Sequence, residues 1–254
     1  GIYNGPGSNL EIRDCDFFGN SAGGYTGSGA HHSVTLNGSD GGGIYNDGSL
    51  YISQCIISNN TSGPPNSGSH SGGQGGRSGH GGGIFNSESG TALMTGSWIT
   101  GNNTDPKREI PDIHLTGVEG SGGGIYNAGY FTANACTIDS NFTANGGNGG
   151  GIYHGSGELL LSKCTVSNNF TGDGYNRDYS QGDAGSGGGI YSMAYSRLVN
   201  CTVSGNYTGK GADTWTNSVP NGYGGSGGGI YTLGELHLQS CTICRNRTGM
   251  GGQG

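Results

Sequence analysis

The chain has 254 residues, of which 60 are glycine, with 30% hydrophobic, 11% charged and a formal net charge of −7. Read alone, so much glycine and so little apolar surface suits a disordered chain, unless repeats let each segment share a thin core with its neighbours. The scarcity of Lys and Arg argues against a nucleic-acid partner, and no apolar run approaches the roughly 20 residues of a membrane helix.

The chain opens on Gly1-Ile2-Tyr3-Asn4, and this element returns along its length as Gly-Gly-Gly-Ile-Tyr or a close variant. Its Ile anchors are Ile2, Ile44, Ile84, Ile125, Ile152, Ile190 and Ile230, spaced by 42, 40, 41, 27, 38 and 40 residues. A period in this range means a solenoid, propeller or array. After each anchor, apolar residues sit two apart, as in Leu10 and Ile12, Leu50 and Ile52, or Leu236 and Leu238. That is strand periodicity. A third element, Cys-x-Ile-x-x-Asn-x-Thr in consensus, follows in turn.

The shortest unit runs from Gly124 to Gly150 and reads as three strands: 124–127, a second centred on Phe131, and 136–138. Three short strands per turn, each pairing with its copy in the next turn, make a parallel β-helix. The remainder of each coil supplies the crossover that parallel pairing needs. The expected fold is all-β: a right-handed solenoid of about seven coils in a single domain over 1–254, with a core roughly 34 Å long. The extra length lies between Asn-x-Thr and the next Gly-Gly-Gly, at 63–80, 105–120, 172–186 and 209–226. These Gly-rich insertions should therefore emerge at one corner, often the binding face of a solenoid. The insertion 105–120, with its apolar residues and mixed charge, is expected to pack as a small lobe.

Stacked coils stack equivalent residues, and three columns result. The cysteine column is Cys15, Cys55, Cys136, Cys164, Cys201 and Cys241, with Ser97 in the third coil and Cys244 outside it. Buried small thiols, disulfides between neighbouring coils and a metal site are all open, although spacing by whole coils does not match a Cys-x-x-Cys zinc pattern. The aromatic column is Tyr3, Tyr45, Phe85, Tyr126, Tyr153, Tyr191 and Tyr231. Each follows an inward Ile and should point outward, either as plain cross-strand stacking or as a strip for sugar rings or a neighbouring fibre.

The third column is Asn20, Asn60, Asn102, Asn141, Asn169, Asn206 and Asn246. All but Asn20 are followed two residues later by Ser62, Thr104, Thr143, Thr171, Thr208 or Thr248, which completes the N-glycosylation sequon. Two readings stand open. The amides face inward and bond their copies above and below, or they face outward and carry a row of glycans. Further sequons occur at Asn37, Asn59 and Asn200.

The pairing of Gly-Gly-Gly-Ile with Phe17-Phe18-Gly19-Asn20, and with Ile57-x-x-Asn60 and its later copies, resembles the β-helix repeat of polymorphic outer-membrane proteins. Those carry the short signatures Gly-Gly-Ala-Ile and Phe-x-x-Asn, and the resemblance covers the whole chain. It implies the right-handed β-helix class of the pectin-lyase-like superfamily, whose members include cell-surface adhesins, secreted passenger domains and polysaccharide lyases.

Enzymes of that class cluster acids and bases on one sheet face. Here the residues after the aromatic are Asn4, Asn46, Asn86, Asn127, His154, Ser192 and Thr232, without a carboxylate pair for glycoside hydrolysis. Asp173, Asp178 and Asp183 share an insertion, but their spacing is loose for a calcium loop, and the histidines are scattered. No cofactor is expected. The chain begins within the motif and ends at Gly251-Gly252-Gln253-Gly254, at the same phase of the repeat and without capping segments. It is therefore read as a piece of a longer β-helix or a filament subunit. The functional expectation is a non-catalytic extracellular or cell-surface structural protein, stacking end to end with its own copies or adjoining β-helix segments. An adhesin or carbohydrate-binding module is the alternative, and a polysaccharide-degrading enzyme a lesser one.

Overall fold

The computed structural model describes residues 1–23, 38–63, 77–104, 120–174, 176–177, 180–213 and 221–253. Three seven-stranded parallel sheets run its length, and among the described residues there is no helix. Each coil contributes one strand to each sheet, so the chain is a parallel β-solenoid. The first sheet holds the three-residue strands Ile2–Asn4 through Ile230–Thr232, the second the longer strands Asn9–Arg13 through Leu236–Gln239, and the third Asp16–Phe18 through Thr242–Cys244. Register is exact from coil to coil: Ile2 pairs Ile44, Leu10 pairs Leu50, and Phe17 pairs Ile57. A two-residue antiparallel pair, Asn176–Arg177 with Ser180–Gln181, lies within one insertion.

Three residues per coil turn the chain. The residue before each column cysteine has φ of 52–54°, at Asp14, Gln54, Gly96, Ala135, Lys163, Asn200 and Ser240. The residue before each column asparagine has φ of 53–66°, at Gly19, Asn59, Gly101, Ser140, Asn168, Gly205 and Arg245. The first glycine of Gly-Gly-Gly has φ of 64–70°, from Gly41 to Gly227. A single left-handed residue reverses the side-chain alternation and bends the strand, so three per coil close a triangular rung. The cysteine therefore lies at a corner, one residue before the third strand (137–139 in the shortest unit) and not within it.

The core is a stack of inward columns. Ile44, Ile84, Ile125 and Ile152 line the first sheet, and Ile57, Ile99, Ile138 and Val166 the third, all with no exposed surface. In the second sheet the columns vary and compensate: Phe131 sits over Ala92, beside Ala133. A large ring against a small neighbour on one side, with Leu159 on the other, keeps the column filled. Phe131, Leu159 and Leu161 are each fully buried, at about 1.5–3 kcal/mol apiece by area burial.

Candidate functional site

The remaining glycines of Gly-Gly-Gly exist because the corner is too tight for a side chain. A Cβ on Gly42 would lie 2.4 Å from the Gly82 carbonyl oxygen, and one on Gly43 would lie 2.7 Å from that of Gly83. The glycine backbones bond directly to the next coil, as in Gly42 N–H to Gly81 O at 3.1 Å.

Against this corner lies the asparagine column, and it faces inward. Asn60, Asn102, Asn141, Asn169 and Asn206 have no exposed surface. The Asn102 Nδ2 donates to Asn141 Oδ1 at 2.9 Å and to the Ile57 carbonyl at 2.9 Å, while its backbone N–H donates to the same Asn141 Oδ1 at 3.0 Å. The pattern repeats from Asn20 to Asn246. Both amide hydrogens are consumed inside the coil stack, so the glycosylated reading of Asn60, Asn102, Asn141, Asn169 and Asn206 is not the state of the folded rod. Asn246, in the last coil, is partly exposed but donates Nδ2 to the Val203 carbonyl in the same way.

The Thr of the sequon has its own structural task. The hydroxyls of Ser62, Thr104, Thr143, Thr171 and Thr208 donate at 2.6–2.8 Å to the carbonyls of Gly79, Gly120, Gly147, Gly185 and Gly225. Each bond closes the corner segment before Gly-Gly-Gly, joining the residue that enters it to a glycine that leaves it, across an insertion everywhere but in the short unit of Thr143 and Gly147. Thr104, Thr143, Thr171 and Thr208 also accept an N–H from the next coil, as Gly209 N–H to Thr171 Oγ1 at 3.1 Å. The insertions thus leave from one corner, as the sequence predicts. The interior of most of them, the expected 105–120 lobe included, lies outside the described residues, as do Asp178 and Asn37. Asp173 and Asp183 accept the N–H groups of Lys210 and Tyr223 at 2.9 and 2.8 Å, so both serve coil-to-coil bonding.

Two polar columns escaped the sequence reading. The residues after the aromatic point into the core, so they could not form an outer catalytic face. Asn4, Asn46 and Asn86 each donate Nδ2 to the next Oδ1 at 2.7 Å, and Asn127 Nδ2 ends the run 3.0 Å from His154 Nδ1. Nδ1 accepts there, so Nε2–H donates to the Tyr195 carbonyl at 3.0 Å. His154 is fully buried and neutral, and burial holds its pKa below the ordinary histidine value. The second missed column precedes Gly-Gly-Gly: side chains of Asp40, His80, Ser121, Asn148 and Ser186 accept the N–H of the following coil at 2.7–3.2 Å. The signal for both was a column of short polar residues recurring at one phase.

The aromatic column points outward as expected. Its rings stack from Tyr3 to Tyr231 with centroids 4.8–5.2 Å apart. Tyr126 is the most deeply set: burial, then the neighbouring Tyr153, push its phenol up to about 12. Each inner ring has both faces covered by neighbours, which leaves edges and hydroxyls to solvent. A second outward stack, Phe142, Phe170 and Tyr207, uses the variable residue of Asn-x-Thr, with centroids 5.0 Å apart.

The cysteine column is a row of free thiols. Cys55, Cys136, Cys164 and Cys201 are buried, Cys241 is half-buried, and Cys15 and Cys244 are exposed. Each column thiol donates to the carbonyl two residues before it, as Cys201 Sγ to Val199 O at 3.3 Å. Ser97 fits because its hydroxyl does the same at 2.8 Å and accepts the Cys55 N–H at 3.0 Å. Among the described residues no His, Cys, Asp and Glu cluster has metal-binding geometry. No protein-family model, curated protein or solved structure matches the chain.

Proposed function

We propose that the chain is a non-catalytic extracellular rod that builds or extends a surface fibre by coil stacking and holds a row of Gly-rich insertions along one edge. The observation that carries this reading is the unbroken asparagine column, in which every rung bonds the next through the same amide geometry. A structure bonded this way is lengthened by adding rungs, because each coil offers its successor the bonds it accepts from its predecessor. The natural partner is another copy of the chain or an adjoining β-helix segment, meeting head to tail. The resemblance of Gly-Gly-Gly-Ile and Phe-x-x-Asn to polymorphic outer-membrane-protein repeats agrees with a cell-surface location.

The carbohydrate-binding alternative draws less support, because sugars stack on aromatic faces and the inner faces here are covered by other rings. Negative-stain electron microscopy and small-angle scattering over a concentration series test the proposal. Thin rods that lengthen with concentration at constant cross-section are expected. Single short particles at every concentration, or turnover of a polysaccharide, would refute it.

A further inference from the structure

The cysteine column has a parity that its role as corner packing does not require. Ser97 occupies the third rung, so the thiols fall into a run of two, Cys15 and Cys55, and a run of four, Cys136, Cys164, Cys201 and Cys241. Both runs are even. Every column thiol therefore has a neighbour one coil away with which to pair, and only Cys244 is left over.

The members of each pair are in register. The strands flanking them pair Arg13 with Ser53 and Asp16 with Ile56, Asn134 with Ser162 and Thr137 with Thr165, and Val199 with Gln239 and Thr202 with Thr242. Backbone bonds join the pairs directly: Ile56 N–H to Cys15 O at 3.1 Å, Thr165 N–H to Cys136 O at 2.9 Å, and Thr242 N–H to Cys201 O at 2.9 Å. Neighbouring strands about 4.8 Å apart bring Cα atoms inside the disulfide window of roughly 4.4–6.8 Å. In each pair the later sulfur reaches back to the earlier coil: Cys55 Sγ lies 3.7 Å from the Ile12 carbonyl, Cys164 Sγ 3.5 Å from that of Ala133, and Cys241 Sγ 3.4 Å from that of Leu198. The left-handed residue before each cysteine places it at a bend, where a small shift of Cβ does not break a ladder.

We propose that the column is a set of three axial staples, Cys15–Cys55, Cys136–Cys164 and Cys201–Cys241, each closing covalently between adjacent coils when a low-molecular-weight disulfide is supplied. In each, one thiolate attacks the reagent disulfide and releases one reagent thiol. The neighbouring thiolate then displaces the second reagent thiol and forms the inter-coil bond. The two cysteines lose two protons and two electrons, and the reagent gains both. The exposed Cys15 and half-buried Cys241 give entry at the outer pairs, and the thiol contact with Cys164 favours ionisation of Cys136 as the attacking group. The inference rests on register and parity, and stands whether or not the rod builds a fibre.

The test is refolding of the full reduced chain in a glutathione redox buffer, alkylation of remaining thiols, a circular-dichroism check of strand content, and non-reducing peptide mapping. The expected result is a folded chain with the three stated linkages and Cys244 alone alkylated, melting at a higher temperature than the reduced chain. A folded chain with all seven thiols alkylated, or with Cys164 linked to Cys201, would overturn the proposal. Ser97→Cys makes the column odd, and one further alkylated column thiol per chain is expected. A variant chain with no alkylated thiol, Cys244 having been drawn into a fourth linkage, would also overturn it.

Discussion

Asn141 stands at the middle of the inward amide column, and its removal measures what the column contributes. Its Oδ1 accepts two bonds from Asn102, from the backbone N–H at 3.0 Å and from Nδ2 at 2.9 Å, while its Nδ2 donates to Ile99 O and Asn169 Oδ1, both at 2.9 Å. Asn141→Ala orphans two fully buried donors on Asn102 and takes a donor from the Ile99 carbonyl. An unsatisfied buried group costs about 1–3 kcal/mol, so the two donors alone account for roughly 2–6 kcal/mol. That is a large share of the 5–15 kcal/mol typical of a folded domain. Asn246→Ala removes the two bonds from Asn206 and the one to Val203 in the last coil, where the partly exposed Asn246 position lets water replace the lost acceptor, and should cost about 1 kcal/mol. Asn141→Asp keeps the volume but turns an acceptor toward two acceptors. It should destabilise at neutral pH at least as strongly as alanine, with partial recovery in acid. The sign follows because burial raises the carboxyl's folded pKa above its unfolded value, so the folded state binds the proton more tightly and gains stability as pH falls. Urea unfolding followed by circular dichroism reads all three. Equal losses at Asn141 and Asn246, or an Asn141→Asp variant as stable as wild type, would show that the column contributes packing and not directed hydrogen bonds.

His154 ends the second amide run, with its folded pKa depressed by burial. The unfolded chain therefore binds its proton more readily, and stability is fully present above about pH 6.5 and lost as pH falls toward the folded value. Urea midpoints measured from pH 8 to 4.5 should decline in wild type, and a decline of equal size in His154→Asn, which continues the amide run, would count against this assignment. Ala135 holds φ of 54°, a left-handed cost of about 1–2 kcal/mol partly offset by the roughly 0.5–1 kcal/mol entropy penalty of glycine. Ala135→Gly should raise the melting temperature slightly, whereas Gly42→Ala should lower it strongly, because its Cβ would meet backbone. The Tyr126 phenol ionises at about 12, so an ultraviolet titration should show a late tyrosinate component that Tyr126→Phe removes. Thr171→Val deletes the bond that ties the 172–186 insertion to Gly185. Limited proteolysis there should accelerate, and the melting temperature should also fall because the buried Gly209 N–H loses its acceptor; an unchanged cleavage rate would refute the clamp.

The repeat itself was legible in the chain. Recurrence of Ile, alternation at Leu50 and Ile52, and the shortest unit at 124–150 imply three strands per coil and the position of every insertion, because one-coil periodicity maps directly onto stacking. The outward aromatic strip followed from strand alternation beside an inward Ile. Direction at the asparagine corner was not legible. A left-handed residue precedes each asparagine, and left-handed conformations occur even at Ser140 and Arg245, residue types that do not announce them. That single dihedral decides whether the next side chain faces the core or the solvent. The sequon pattern therefore satisfied two opposite readings until the coils were closed. The inward run from Asn4 to His154 lay within reach of the same alternation as the aromatic strip, but its side-chain bonding, like the thiol positions along the cysteine column, waited on the stacking of coils. Local sequence determined which residues recur at one phase. Only the tertiary stacking, which brings residues some 40 positions apart within 3 Å of one another, decided which of them bond and which face water.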